Sequence, residues 1–504
     1  MRTKKALLNT LAGLGYEAVA LICGMILPRL ILSTFGSGYN GITNSITQFL
    51  SCIALLRAGI GGVTRAALYK PLAAGDNLAY SRILRATEIF MRRLALIFLG
   101  FLAVFALVFP AFVRQEFDFL FTASLVMILG ISTFVQYYYG FTYQMLLNAD
   151  QREWVSSAVQ IFTTILNTLV ACLLLKLGCG IHLVKLGSAA VFALNPLFIN
   201  FYAHKKYRIV RGVEPDNQAV AQRWDAFAHQ AANFVNTNTD IMILTAFRSQ
   251  KEVSVYSVYY LVFGGLTRLF RNSVPGVAAA FGDMMARGEK ELLEKNFRVF
   301  ELVVYSLAGI LFITCGIMIV PFVMLYTKNV VDVNYSRPLF AALVTIASFF
   351  GCTRIPYQHV VEAAGHYRQT KKGAFFEAAM NITISVIAVF RLGLVGVALG
   401  TLAAAVFRTT QYAVYLDRHI IPRKHRLFLG HTAVSGVIAL LSVGLYSRMP
   451  HMEMTGFLGW TVNAACACAL VTGLTVVMNL LLYRQDSVLL VKKLAGLVKK
   501  RSKQ

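Results

Sequence analysis

Two arginines lie in an apolar stretch that is long enough to be buried in a bilayer. The stretch "IALLRAGIGGVTRAALYK" (53–70) carries Arg57 and Arg65 on either side of three glycines. An arginine at the centre of a membrane helix costs about 2.5–3.5 kcal/mol on insertion scales. A guanidinium also matches the oxygens of a phosphate group with two parallel hydrogen bonds. The two residues therefore raise the possibility of an anion-binding site inside the membrane.

The composition places these arginines in an integral membrane protein. The chain has 504 residues, of which 57% are hydrophobic and 14% charged, and its mean hydropathy is +0.63. Soluble domains carry roughly 25% charged residues. The first apolar run is too long for a signal peptide, and we expect it to be retained as a transmembrane helix. The eight cysteines are scattered and include no C-x-x-C motif, so no disulfide or metal site is expected.

Apolar runs separated by short charged loops predict an all-α integral membrane protein of about fourteen transmembrane helices. With the N-terminus inside, lysine and arginine are in roughly threefold excess on the inner segments, as the positive-inside rule requires. Both termini are therefore predicted to be cytoplasmic. The net charge of +25 indicates this topology and contact with anionic inner-leaflet lipids, and does not indicate nucleic-acid binding. The predicted spans are 6–33, 40–69, 86–112, 119–147, 154–175, 183–203, 224–247, 252–285, 298–325, 336–364, 373–390, 393–417, 429–448 and 456–482.

An internal repeat divides the chain into two lobes. "LGSAAVFALNPLFINFY" (186–202) pairs with "LGTLAAAVFRTTQYAVY" (399–415), at an offset of about 214 residues that other weak matches share. Six helices per repeat predict two lobes related by a pseudo-twofold axis along the membrane normal. The predicted domains are a first lobe (1–203), a basic cytoplasmic linker (204–222), a second lobe (223–418), two further helices (419–483) and a basic tail (484–504). The tail pattern favours an amphipathic helix on the inner leaflet, and a solvated tail is the alternative.

The repeat relates the arginines of the two lobes. The offset carries Arg57 onto Arg271, and Arg268 lies one turn before Arg271. We expect Arg57 and Arg271 to face a common central cavity. The candidate anion-binding residues are Arg57, Arg268, Arg271, Arg65, Arg354 and Arg408.

A simpler explanation of these arginines remains open. Arg57 and Arg271 could each form a buried ion pair with an intramembrane carboxylate. Arg65 lies close enough to Lys70 for its side chain to reach the inner headgroups. The carboxylates available for such pairs are Glu17, Glu88, Asp240, Glu301, Glu362 and Glu377.

Two long segments carry a family resemblance. Residues 28–77, "PRLILSTFGSGYNGITNSITQFLSCIALLRAGIGGVTRAALYKPLAAGDN", resemble the opening of the Wzx-type bacterial polysaccharide transporters. "NTDIMILTAFRSQKEVSVYSVYYLV" (238–262) resembles the entry to their seventh helix. These transporters belong to the multidrug/oligosaccharidyl-lipid/polysaccharide exporter superfamily, which also contains the multidrug antiporters and the peptidoglycan-precursor flippase. Fourteen spans fit the polysaccharide branch better than the twelve of the drug antiporters.

The resemblance implies a function in cell-surface polysaccharide assembly. It implies that the chain moves an undecaprenyl-pyrophosphate-linked oligosaccharide from the inner to the outer leaflet of a bacterial cytoplasmic membrane, by alternating access. It also implies that Arg57, Arg268 and Arg271 line the cavity, and it leaves room for other polysaccharide-assembly proteins as partners. No cofactor is expected, although a proton gradient, a sodium gradient or the membrane potential could drive transport.

Polar residues near the arginines supply candidates for sugar contact and ion coupling. Tyrosines in membrane helices often pack or anchor at the interface instead of binding a ligand. An intramembrane carboxylate is a candidate coupling site by default. The sugar-contact candidates are Gln48, Asn44, Asn236, Asn238 and Tyr259, and the ion-coupling candidates are Glu17, Asp240 and Glu377.

Two other functions compete with the flippase. A multidrug antiporter on the same fold would bind lipophilic cations, for which carboxylates suit better than arginines. A membrane-embedded transferase would need clustered acids or a reactive histidine, yet His229 and His359 are isolated in the sequence. The sequence contains neither a P-loop nor an H-E-x-x-H motif, so we expect no enzymatic activity and no zinc or ATP chemistry.

Overall fold

A computed structural model describes the backbone of residues 2–219, 238–272, 276–423 and 426–501. Within these ranges it describes the side chains of all residues except 2–6, 53–59, 272, 276–279, 367–368, 426 and 493–501. The described residues form helices and connecting loops, and they contain no strand. The prediction of an all-α integral membrane protein is therefore confirmed.

Twelve helical segments of the described chain are long and apolar enough to cross a membrane. They coincide with twelve of the fourteen predicted spans. The predicted span 40–69 corresponds to a continuous helix, Ser37–Ala74, and the predicted span 224–247 lies mostly outside the described residues. The number fourteen and the cytoplasmic location of both termini stay predictions.

The chain forms two compact units. The N-terminal unit contains residues 1–257 and 329–333, and the C-terminal unit contains 258–328 and 334–504. The first unit thus extends beyond the predicted end of the first lobe at 203, because residues 238–257 pack against the second helix. The predicted domain boundaries stay predictions.

In the N-terminal unit, acidic caps and glycines end one helix and begin the next. Gly36 (φ 89°) separates the first two helices, and Gly75 (φ 69°) ends the second. Asp76 then caps the third helix by accepting hydrogen bonds from the backbone N–H groups of Leu78 and Ala79. The helices are α1 (Arg2–Phe35), α2 (Ser37–Ala74), α3 (Asn77–Val113), α4 (Phe119–Val135), α5 (Phe141–Ala149), α6 (Glu153–Lys176), α7 (Ile181–Lys206), the described part of α8 (238–247) and the first turns of α9 (Gln250–Asn272).

A π-helical turn, Gln136–Gly140, joins α4 to α5 within a single membrane span. Gly140 lies against Pro196 of α7 so closely that an added Cβ would overlap the proline ring. This close approach explains a glycine inside a helix, where it otherwise costs stability.

The C-terminal unit is built around one tightly packed helix pair. The helices α14 (Tyr367–Leu392) and α15 (Leu394–His419) are joined by Gly393 (φ 56°). A Cβ at Gly396 or Gly400 would overlap atoms of α14, so the two backbones can approach only because these residues are glycine. The other helices are α10 (Gly276–Ala286), α11 (Lys290–Tyr326), α12 (Pro338–Thr353), α13 (Ile355–Ala363), α16 (Arg426–Tyr446), α17 (Phe457–Leu482) and the tail helix α18 (Arg484–Arg501).

Candidate substrate site

Two of the predicted arginines share one carboxylate in the C-terminal unit. Arg354, at the junction of α12 and α13, donates from Nη1 to Oε1 of Glu377 at 2.7 Å. Arg408 of α15 places its Nε 3.4 Å from the other oxygen, Oε2. The three side chains are 15%, 6% and 8% exposed, in the order Arg354, Arg408, Glu377. The structure thus assembles a buried cluster with one more positive than negative charge.

Arg408 is held by several further partners. Its guanidinium donates to the backbone oxygen of Thr370 (3.0 Å), to Oε1 of Gln411 (2.6 Å) and to the hydroxyl of Tyr412 (2.9 Å). It also lies over the Tyr412 ring, 4.2 Å from the centroid. Arg408 is therefore a structural member of the cluster. Arg354 is less satisfied, because its buried Nε has no hydrogen-bond partner.

Arg271 lies near this cluster. Thr267, one turn earlier on α9, lies beside Cys352, which is two residues before Arg354. Arg271 interacts electrostatically with both Arg354 and Glu377. Its side chain is exposed, and no described carboxylate lies within ion-pair distance of it. Arg271 therefore adds a third positive charge near one carboxylate, which leaves an excess of two positive charges.

The other predicted arginines are not brought into this cluster. Arg268 is exposed and donates from Nε to the backbone oxygen of Gly264 on its own helix (3.3 Å). Arg65 is exposed on α2. The side chain of Arg57 lies outside the described residues, so the expected pairing of Arg57 with Arg271 in a common cavity stays a prediction.

The sugar-contact candidates fall into different environments. Gln48 of α2 donates to Oδ1 of Asn238 on α8, and Asn44 donates to the backbone oxygen of Asn40 on its own helix. Asn236 lies outside the described residues. The candidates Gln48, Asn44, Asn236 and Asn238 therefore stay predictions.

Tyr259 does not fit a sugar contact. Its side chain is fully buried, its hydroxyl donates to the backbone oxygen of Tyr335 (2.8 Å), and it accepts from the backbone N–H of Arg337 (3.2 Å). Neither the ring nor the hydroxyl is accessible in this conformation. Sequence reasoning missed this role because the loop that uses the hydroxyl lies 76 residues away. We therefore leave Tyr259 out of the proposed site.

The ion-coupling candidates also differ in their partners. Glu377 is held by two arginines, which makes it a poor ligand for a further cation. Asp240 accepts a hydrogen bond from the Tyr256 hydroxyl (2.8 Å). Glu17 is half-buried on α1, without an ion pair in the described part of the chain. Glu17 and Asp240 remain candidates.

Polar contacts that the sequence did not predict join α2 to residues 245–254. Asn40 donates to the hydroxyl of Ser254 (2.8 Å), and the Ser45 hydroxyl lies 2.7 Å from both Thr245 Oγ1 and Gln250 Oε1. We call this set the α2–α9 contact. Because it lies at the α1–α2 end of the unit, the charge distribution predicts it to be on the outer side.

Gly41 is central to the α2–α9 contact, since an added Cβ would overlap the backbone carbonyl of Gln250. We expect Gly41→Val to separate the two segments. The measurement is cross-linking of Asn40→Cys to Ser254→Cys in a background without native cysteines, and the yield should fall severalfold. Gly62→Val is the control, because nothing lies within 4 Å of a Cβ at Gly62. An unchanged yield in Gly41→Val would contradict the described contact.

A second buried charge network lies at the inner ends of the C-terminal helices, as the predicted topology places them. Arg423, between α15 and α16, binds Glu301 of α11 through two nitrogens (2.5 and 2.8 Å) and Asp417 of α15 through Nε (2.6 Å). The side chains of all three are at most 3% exposed. Burial lowers the pKa of Arg423, but the hydrogen bonds and charges of Glu301 and Asp417 outweigh it and raise the pKa above its ordinary value.

This network explains Glu301, which sequence analysis considered only as a partner for the mid-membrane arginines. Its Oε1 also accepts a hydrogen bond from the Tyr357 hydroxyl (2.5 Å). Arg423 joins α11, α15 and the start of α16, so the network fixes the last helices to the rest of the unit.

The N-terminal unit encloses a polar cavity of about 400 Å³ beside the π-helical turn. None of its lining residues is charged, and none is among the predicted site residues. The signal of this cavity in the sequence is a set of amides and hydroxyls inside apolar segments, on α1, the π-helical turn, α5, α6 and α7. The polar lining residues are Tyr16, Gln136, Gln144, Gln160, Thr163, Thr164 and Asn195.

Known structures share this architecture. The chain resembles the lipid II flippase MurJ in an inward-closed conformation, with a TM-score of 0.70 and 13% identity, over 95% of this chain and 99% of that one. It also resembles an inward-facing MATE multidrug-resistance transporter of the MOP superfamily, with a TM-score of 0.52 and 16% identity, over 78% of this chain and 94% of that one. For the eukaryotic MATE transporter AtDTX14 the TM-score is 0.51 and the identity 13%, with 81% and 96% covered.

These comparisons define the class of fold. The chain is a multi-pass membrane protein with the fold of the MurJ flippase and the MATE transporters. At 13–16% identity the likeness shows the fold alone. No family model matches the sequence, and no curated protein matches it.

Proposed function

We propose that this protein is a flippase that moves a polyprenyl-pyrophosphate-linked oligosaccharide from the inner to the outer leaflet of a bacterial cytoplasmic membrane. The observation that carries the proposal is the excess of positive charge around Glu377. Arg354, Arg408 and Arg271 face one carboxylate in a membrane-spanning unit. An uncompensated charge is unfavourable there unless an anion or water accompanies it. A pyrophosphate head group supplies such an anion.

The physical need for such a protein is clear. The polyprenyl tail is already soluble in the bilayer, whereas the charged, sugar-bearing head group would lose its hydration on crossing hydrocarbon. Arginine suits this head group because its planar donors bind phosphate oxygens in pairs. Arg271 is the arginine best placed for it, since it is exposed and not ion-paired in the described structure.

The comparisons support a membrane transporter and leave lipid-linked and drug cargo equally open. MurJ is a lipid II flippase, and the likeness to it spans nearly the whole of both chains. The polar α2–α9 contact is a second support, because hydrogen bonds between hydroxyls and amides can break and form again as a transporter alternates between two states. In this proposal Glu17 and Asp240 are the candidate sites for a coupling proton or sodium ion.

A multidrug antiporter is the second candidate. The MATE likeness and the uncharged cavity of about 400 Å³ in the N-terminal unit favour it, since that cavity is large enough for a small organic molecule. The arginine cluster disfavours it, because excess positive charge repels the lipophilic cations that such antiporters carry.

The deciding experiment uses the full-length protein in liposomes that contain an undecaprenyl-pyrophosphate oligosaccharide. Outward movement of the head group is followed under an imposed proton gradient, an imposed sodium gradient and an imposed membrane potential, with protein-free liposomes as the control. We expect movement in at least one of these conditions. Uptake of a lipophilic cation, with no head-group movement in any condition, would establish the antiporter instead.

A further inference from the structure

The connection that follows α7 is not a free linker. Residues 207–219 fold back along the start of α3 within the N-terminal unit. The hydroxyl of Tyr80 donates to the backbone oxygen of Arg208 (2.9 Å), and the backbone N–H of Val210 donates to the hydroxyl of Ser81 (3.1 Å). Both α3 residues are buried. This part of the basic connection therefore has a fixed position on α3.

The fold-back brings a linker arginine to two arginines of α3. Arg211 precedes Gly212, whose φ of 77° turns the chain. Arg85, Arg92 and Arg211, together with Glu88, all lie within electrostatic range of the Tyr143 hydroxyl on α5. Three guanidinium groups from two separate parts of the chain thus lie in the same region of the unit.

One carboxylate orients two of these arginines without neutralising the group. Glu88 accepts from Nη1 of Arg85 at Oε2 (3.1 Å) and from Nη2 of Arg92 at Oε1. Arg92 also lies over the ring of Tyr138, 5.1 Å from its centroid, and its buried Nε has no hydrogen-bond partner. The arginine side chains are about two-fifths exposed, at 42% for Arg85 and 41% for Arg92. The group therefore has two excess positive charges and donors that remain accessible.

The position along α3 suits a phosphate group at the membrane surface. This helix has 37 residues and is about 55 Å long at 1.5 Å per residue, whereas the hydrocarbon core is about 30 Å thick. Residues 94–113 contain no charged side chain, so the arginines lie just outside the apolar part. The predicted topology places this end of α3 on the inner side, where a lipid-linked substrate would be loaded.

We propose that Arg85, Arg92 and Arg211 form a docking site for the diphosphate group of the lipid-linked substrate at the inner membrane surface. This inference rests on the proposed function and adds a loading site that is separate from the cluster at Glu377. The ring of His204 lies beside the site, 4.9 Å from the ring of Tyr143, and its Nε2 is paired with the Tyr143 hydroxyl at 3.5 Å. A diphosphate offers more oxygens to three arginines than a single phosphate does, so the site should prefer the diphosphate.

The test measures lipid binding by the full-length protein in uncharged detergent micelles, with native mass spectrometry. The probes are undecaprenyl diphosphate, undecaprenyl monophosphate and phosphatidylglycerol. We expect Arg211→Gln and Arg85→Gln each to weaken binding of the diphosphate roughly tenfold, which is the effect of losing about one charge-assisted hydrogen bond. Arg93→Gln is the matched control, since Arg93 is exposed on the same part of α3 and is not among the arginines around Tyr143.

Two outcomes would overturn the site. Unchanged diphosphate binding in both variants would show that these arginines do not form the docking site. An equal loss of phosphatidylglycerol binding would show that the surface binds any lipid phosphate and has no preference for the diphosphate. If either glutamine variant fails to fold, Arg211→Lys keeps the charge without the paired donors and should weaken diphosphate binding severalfold. The liposome assay separates this inference from the proposed function. If the variants bind the diphosphate and transport normally, only the proposed docking site is contradicted. If the wild type does not transport the substrate, the proposed function itself is contradicted.

Discussion

Replacing Arg423 by alanine will lower the free energy of unfolding by about 3–5 kcal/mol, the usual cost of breaking a buried ion pair from one side. The substitution leaves Glu301 and Asp417 without their common partner, and both side chains are almost fully buried. The loss should appear as a lower midpoint of thermal unfolding in detergent, together with a smaller yield of monodisperse protein. The effect is large because two carboxylates lose their compensating charge at once.

Arg298→Ala is the matched control for this prediction. Arg298 also binds a carboxylate, Asp486 of α18, at 3.0 Å, but its side chain is 36% exposed. Exposed ion pairs contribute about 0–1 kcal/mol, so this variant should stay close to the wild type. Equal stability losses in the two variants would contradict the role assigned to Arg423. Since the pKa of Arg423 is raised, its contribution is present below its ordinary pKa and is lost only as the pH rises through its higher pKa in the folded state.

Replacing Arg271 by alanine will reduce transport of the lipid-linked oligosaccharide at least about tenfold, with little change in stability. Arg271 is exposed and has no ion pair among the described residues, so its removal leaves no buried carboxylate behind. It also removes one of the two excess positive charges near Glu377. Arg271→Lys should retain part of the activity, because lysine keeps the charge but not the paired donors. The measurement is the initial rate of head-group movement in liposomes.

The control for Arg271 is another exposed arginine of the same unit. Arg287 forms a surface pair with Asp283 at 3.1 Å, and both side chains are mostly exposed. Arg287→Ala should transport at the wild-type rate. Wild-type transport by Arg271→Ala as well would remove Arg271 from the site and would favour the alternative that its position in the last turn of α9 serves only the helix dipole.

The arrangement of spans could be predicted from the sequence because hydropathy is a local property. A membrane helix needs about twenty consecutive apolar residues, and each such run can be recognised without reference to the rest of the chain. The same locality explains what was missed within a span. The π-helical turn at Gln136–Gly140 lies where Gly140 packs against Pro196 of a different helix, and no local pattern in the sequence indicates that contact.

The candidate site was predictable only in part. Sequence analysis selected Arg354, Arg408 and Glu377 individually, as charged residues in apolar surroundings. It could not pair them, and it assigned Glu377 to ion coupling when two arginines hold that carboxylate. It proposed Tyr259 as a sugar contact because a tyrosine in a membrane helix can either bind a ligand or pack against the protein. Only the hydrogen bond to the backbone of Tyr335 shows that Tyr259 packs.

The sequence by itself determined that this protein spans a membrane, that it is helical and where charged residues lie in apolar segments, since these properties depend on residue type and on neighbours within one helix. Only the tertiary structure decided which charges compensate one another. Arg423 meets Glu301 across 122 residues, and residues 207–219 fold back onto α3 across more than a hundred. Such pairs depend on how distant helices pack, and the short-range periodicity of a sequence carries no information about that packing.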